Sequence, residues 1–102
     1  ASWAPRRAGS AVPAAPAGLS AHGAAGIVSV AWSSAAAGAI PTSYELRVGR
    51  VSGAADLGVL VLPAAMTALS GPVPSGIYYL QVAAVNACGA SAPSPEIAVT
   101  VP

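Results

Sequence analysis

The stretch "YYLQVAAVNACGASAPS", residues 78 to 94, decides how the chain is read. Tyr78, Leu80, Val82 and Ala84 alternate with Tyr79, Gln81 and Ala83, the period-two pattern of a strand with two unlike faces. The texture changes abruptly at Asn86. Asn-Ala-Cys-Gly is turn chemistry, and a Ser/Pro-rich segment follows that continues neither a strand nor a helix. The sequence predicts a buried strand ending at Asn86, a hairpin loop, and a last strand beginning near Pro95.

Working outward, the same alternation recurs. In "IVSVAWS", Val28, Val30 and Trp32 share a face. In "SYELRVGR", Tyr44, Leu46 and Val48 alternate with Glu45, Arg47 and Gly49. "EIAVTV" sets Ile97, Val99 and Val101 on one side. Weaker runs at "DLGVLVL" and "AMTALS" supply further strands. These sets can form one core between two sheets. No helix of useful length is predicted; the Ala-rich "SSAAAGAIP" is short and bounded by Gly38 and Pro41. The expectation is an all-β immunoglobulin-like β-sandwich of two antiparallel sheets with about seven strands. Residues 1–15 read as a Pro/Ala/Gly-rich extension or linker, and residues 16–102 as the folded domain.

From Pro13 to Pro102 these landmarks, taken in order, resemble a fibronectin type III domain. "PAAPAGLSA" looks like the family's proline-rich lead-in to the first strand. Trp32 resembles its core tryptophan and Tyr44 its core tyrosine. Pro74 followed by Tyr78 resembles the tyrosine corner, and "VAAVNACGASAPS" the family's alternation, Asn, Gly, Ser and Pro-Ser. Two positions depart from the pattern, both at that corner: Pro72 stands where a leucine is usual, and Ser75 where the turn glycine is usual. The loop after Asn86 also lacks Arg-Gly-Asp, so the family's best-known adhesion function does not carry over.

Composition limits the function. Charged residues are 7% of the chain, there is no lysine, and the net charge of +1 is carried by arginines. That leaves no basic field for a nucleic-acid backbone. Two long tracts are nearly free of charge, but Pro, Ser and Gly interrupt them too often for a membrane-spanning helix. The chain begins with Ala, and no apolar core follows the Arg6–Arg7 pair, so a signal peptide is not expected. A mature secreted protein, or a segment of a longer one, would look like this, and the expected location is extracellular or at the cell surface.

Catalytic constellations are not expected either. His22, the single histidine, is predicted in a loop beside the first strand with no acid near it in sequence. Glu45 and Glu96 lie on strands that the resemblance places in one sheet, but Glu96 sits at a strand start and nothing marks either as the buried, facing carboxylate a glycosidase requires. No metal-ligand cluster is spaced for binding, so no cofactor is expected. The chain reads as a non-enzymatic module.

Three features remain for binding. Glu45, Arg47, Tyr79 and Gln81 would form a polar-aromatic face if their strands are neighbours, suited to a protein or glycan contact. Trp3 is a candidate assembly anchor. Cys88, the sole cysteine, reads either as a reduced thiol tucked into its loop or as an intermolecular disulfide partner. Outward strand positions are mostly Ser, Ala, Gly and Gln, without the lysines that usually guard sheet edges. That surface suits a subunit covered by neighbouring domains or by further copies of itself. The first expectation is therefore a structural unit of a fibre, appendage or coat. The alternatives are a spacer domain of a secreted polysaccharide-degrading enzyme, or a monomeric adhesion or glycan-binding module.

Overall fold

The computed structural model describes residues 12–35 and 38–102. Eight strands follow in order: β1 (Ala17–Ala24), β2 (Ile27–Ser33), β3 (Ser43–Gly49), β4 (Gly58–Pro63), β5 (Ala68–Pro72), β6 (Gly76–Asn86), β7 (Gly89–Ala90) and β8 (Ile97–Val101). They form a three-stranded sheet ordered β1-β2-β5 and a five-stranded sheet ordered β4-β3-β6, with β7 and β8 both along the far edge of β6. All pairings between these strands are antiparallel.

The alternating residues build the core as expected. Val30, Trp32, Tyr44, Leu46, Tyr78, Leu80, Val82, Ala84, Val99 and Val101 are buried in one cluster. Trp32 meets Tyr44 edge-to-face, ring centroids 5.6 Å apart, an arrangement that suits the aromatic quadrupoles. The Tyr44 hydroxyl shares a 2.6 Å hydrogen bond with Ser34 Oγ, which satisfies the polar tip of a wholly buried ring.

The expected seven strands are eight because the last one is split. Pro93 and Pro95 cannot donate ladder hydrogen bonds, so the chain from Ser91 to Glu96 leaves regular strand geometry. Two serines keep it attached. Ser94 donates its N–H to the Val82 carbonyl (2.8 Å), while its Oγ accepts the Val82 N–H (3.0 Å). Ser91 repeats the arrangement with Ala84, at 2.7 and 2.9 Å. Each hydroxyl stands in for a ladder carbonyl. Both serines are buried, and that is why the Ser/Pro segment follows the strand so directly.

The tyrosine corner forms: Tyr78 Oη donates to the Pro74 carbonyl at 2.6 Å. The turn glycine stands one residue later than the usual position, at Gly76, whose φ of 149° lies in the region that favours glycine. Its missing side chain leaves room for the Arg50 guanidinium, which stacks over the Tyr78 ring at 5.3 Å.

The two long sides of the sandwich differ. On one side β1 lies against β8, and Gly23 makes this approach close: a methyl group there would run into the Thr100 carbonyl and the Val101 side chain. On the other side, β4 and β5 end their sheets without closing over the core. An apolar cleft of about 220 Å³ opens there, lined among others by Val28, Val48, Leu60, Leu69 and Val73. Pro72 and Tyr78 also line it, so the cleft reaches the corner where the sequence departs from the family pattern.

Candidate functional site

β3 and β6 are neighbours, and their pairing places the four face residues together. Arg47 lies opposite Gln81, Glu45 opposite Ala83, and Gly49 opposite Tyr79. Glu45 and Arg47, two apart on one strand, form a 3.6 Å ion pair with both side chains about a third exposed. A pair of this kind contributes little to stability. Gln81 Nε2 donates to the Ser94 carbonyl at 3.4 Å, which ties the face to the split last strand. Tyr79 is half-buried beside it.

The acidic residues serve separate contacts. Glu96, just before β8, accepts the Ser52 hydroxyl on one oxygen (2.5 Å) and the Gly53 N–H on the other (2.6 Å). The Ser52 hydrogen bond, aided by the Gly53 amide, holds its carboxyl below the usual range. Asp56 Oδ1 accepts the Arg50 N–H at 3.0 Å and closes the β3–β4 loop. Glu45 is committed to Arg47, so the two glutamates form no facing acid pair. Among the described residues no three His, Cys, Asp or Glu side chains gather as a metal site would require.

Two expectations need correction. His22 lies within β1, opposite Ser29, rather than in a loop; it is exposed, as a strand residue on the outer face of a two-layer sandwich must be. Cys88 is exposed, not tucked in as a small hydrophobe. Asn86 pairs with Gly89, so Ala87 and Cys88 form the tip of a two-residue turn, and tip side chains face solvent. The Asn86 side chain accepts the Cys88 N–H at 2.8 Å and fixes that turn. Trp3 lies outside the described residues.

The feature that sequence reading missed is the exposure of β4. Val59, Leu60 and Val61 are 48, 47 and 69% exposed, an apolar run open to solvent on both faces of an edge strand, and Leu57 just before it is 49% exposed. Val59 and Val61 lie on the outer face beside Arg47 and Glu45; Leu60 lies on the inner face beside Leu46, at the mouth of the cleft. In "GVLVLP" apolar residues follow one another without the polar alternation of a half-buried strand, a pattern shared by a strand buried on both faces.

The backbone phase of β4 follows from its neighbours. Val82 and Ala84 direct their N–H and C=O groups to Ser94 and Ser91. Ladder bonds alternate along an antiparallel strand, so Gln81 and Ala83 face β3 and bond Arg47 and Glu45. That turns Tyr44 and Leu46 toward Leu62 and Leu60. The amides and carbonyls of Val59 and Val61 therefore point away from the sheet.

No protein-family model and no curated protein matches the sequence. Solved structures do match in fold. The FN1-FN3 domains of chicken CNTN1 align with a TM-score of 0.74 at 18% identity, over 88% of this chain and 32% of that one. This chain thus spans about a third of that structure. The FN5 domain of Drosophila Lar aligns with a TM-score of 0.65 at 20% identity, over 89% of this chain and 98% of that one. The Clostridium perfringens spore cortex lytic enzyme SleM aligns with a TM-score of 0.65 at 18% identity, over 87% of this chain and 28% of that one. Together with the strand order, the Trp32–Tyr44 core and the Tyr78 corner, these likenesses show that the chain has the fibronectin type III fold.

Proposed function

We propose that the chain is a non-enzymatic interaction module, a subunit or repeat of an extracellular or surface assembly such as a fibre, appendage or coat. The observation that carries this reading is the apolar, uncharged edge strand β4, whose three consecutive large residues Val59, Leu60 and Val61, with Leu57 just before the strand, are about half exposed or more. Native edge strands normally carry a charge, a bulge or a covering element. A module that meets neighbours along this edge has no need of one. The polar-aromatic face of Glu45, Arg47, Tyr79 and Gln81 adjoins β4 through Arg47 and Glu45, and supplies a polar rim. Trp3, in the segment before the sandwich, is assigned the role of a second anchor, because one buried tryptophan can dominate a contact.

The test is the particle size of the intact chain by light scattering and electron microscopy, beside a variant lacking residues 1–12 and a Trp3→Ala variant. Oligomers that weaken in both variants support assembly and the anchor role. A strictly monomeric chain at high concentration contradicts the assembly reading. The fold likeness to a lytic enzyme then favours the second one, a spacer domain within a secreted polysaccharide-degrading enzyme.

A further inference from the structure

We infer that β4 pairs with β4 of a second copy of this chain, antiparallel across a two-fold axis at Leu60, extending the five-stranded sheet from one molecule into the next. This names the partner in the assembly reading above and rests on it.

The geometry of the edge carries the inference. An antiparallel pair exchanges hydrogen bonds only between residues whose backbone groups point outward on both strands. On β4 those residues are Val59 and Val61, two apart and symmetric about Leu60. Setting Val59 opposite Val61 of the second copy makes Val61 fall opposite Val59, and both pairs exchange N–H and C=O groups. An isologous contact needs such a self-matching patch. Pro63 has no N–H and ends the ladder on each side, so the pairing is confined to this short, symmetric segment.

Side chains agree with the backbone. On the outer face the four valines meet as two cross-strand pairs of β-branched residues, a favourable combination. Val59 lies in the row of Arg47, and Val61 in the row of Glu45. The two-fold therefore brings Arg47 into one row with Glu45 of the second copy, so opposite charges flank the valines on both sides. On the inner face Leu60 meets Leu60 of the second copy over the mouths of the two clefts. The apolar area on β4 alone is below the roughly 800 Å² per partner of a standard interface. The dimer is accordingly weak and depends on concentration.

The register gives a sharp test. Leu60 and its symmetry mate form a non-hydrogen-bonded pair with Cα atoms about 4.5 Å apart, within the range a disulfide spans. In a Cys88→Ser background, Leu60→Cys should give a disulfide-linked dimer under mild oxidation, whereas Val61→Cys, displaced along the strand from its own mate, should not. Val61→Pro removes an outward amide and no internal hydrogen bond. Val61→Lys, at a site 69% exposed in the monomer, puts a charge among the four valines, where pairing would have to desolvate it. Each should weaken self-association about tenfold or more by analytical ultracentrifugation, with an unchanged far-ultraviolet circular dichroism spectrum. Oligomers that persist in both variants, with no Leu60→Cys cross-link, overturn the two-fold and leave assembly by another surface standing. A chain that is monomeric from micromolar to millimolar concentration overturns both.

Discussion

Replacing Ser94 by alanine isolates one hydroxyl on which the last strand depends. The group is buried, accepts the Val82 N–H at 3.0 Å and donates to the Pro95 carbonyl at 3.3 Å. The Val82 amide has no route to water, because Val82 is fully buried in the middle of β6. Leaving a buried donor unsatisfied costs about 1–3 kcal/mol. The Ser94 N–H to Val82 carbonyl bond survives, so the loss is that of one acceptor and not of the strand. In a domain of this size each kcal/mol lowers Tm by roughly 4–8 °C. Calorimetry and urea unfolding measure the loss, and hydrogen exchange at the Val82 amide localises it. Ser29→Ala, an exposed serine on β2, is the control and should stay within about 0.5 kcal/mol of the parent. If Ser94→Ala is as neutral as that control and the Val82 amide remains protected, the hydroxyl is not the acceptor that holds this strand.

Trp32→Ala should cost about 3–5 kcal/mol and leave the domain barely folded by circular dichroism, while Tyr79→Ala, on the half-exposed outer face, should cost far less. Glu96 has a folded-state carboxyl held below its ordinary value of 4.5. Its stabilising contribution is therefore present above that value and lost as pH falls through the lower folded one, and Glu96→Gln should flatten that part of an acid-unfolding curve. Cys88→Ser should give a domain of unchanged Tm, since one thiol at a turn tip closes no loop; a thiol-sensitive dimer on a non-reducing gel, absent from the variant, would assign the cysteine an intermolecular bond.

Much of the fold was legible because alternation reports burial directly where a strand has one wet and one dry face. Tyr78, Leu80, Val82 and Ala84 lie where period two puts them, and Pro74 before Tyr78 foretold the corner hydrogen bond. The split of the last strand was less legible. The prolines announce that the ladder is interrupted, but only the three-dimensional register shows Ser91 and Ser94 supplying the missing acceptors. His22 was misplaced because a run of Ala, Ser and Gly has almost no hydrophobic period, so β1 is defined by its pairing with β2 rather than by its own pattern.

The candidate site divides the same way. That Glu45, Arg47, Tyr79 and Gln81 share a face follows from alternation plus adjacency of two strands, and both hold. The exposure of β4 does not follow from its sequence. "GVLVLP" describes a strand buried on both faces as well as one that lies open at an edge. Only the topology, which puts β4 outermost and leaves its side of the sandwich unclosed, separates the two.

The central claim, that the outward backbone of β4 is a contact surface, is tested most directly by amide hydrogen exchange at Val59 and Val61 as a function of protein concentration. In a dilute monomer both amides point to solvent and should exchange rapidly, while Leu60, bonded to β3, stays protected. The account predicts that raising the concentration slows Val59 and Val61 together and leaves the outward face of β5 unchanged. Rapid exchange at both valines, at concentrations where the chain is demonstrably oligomeric, would contradict it.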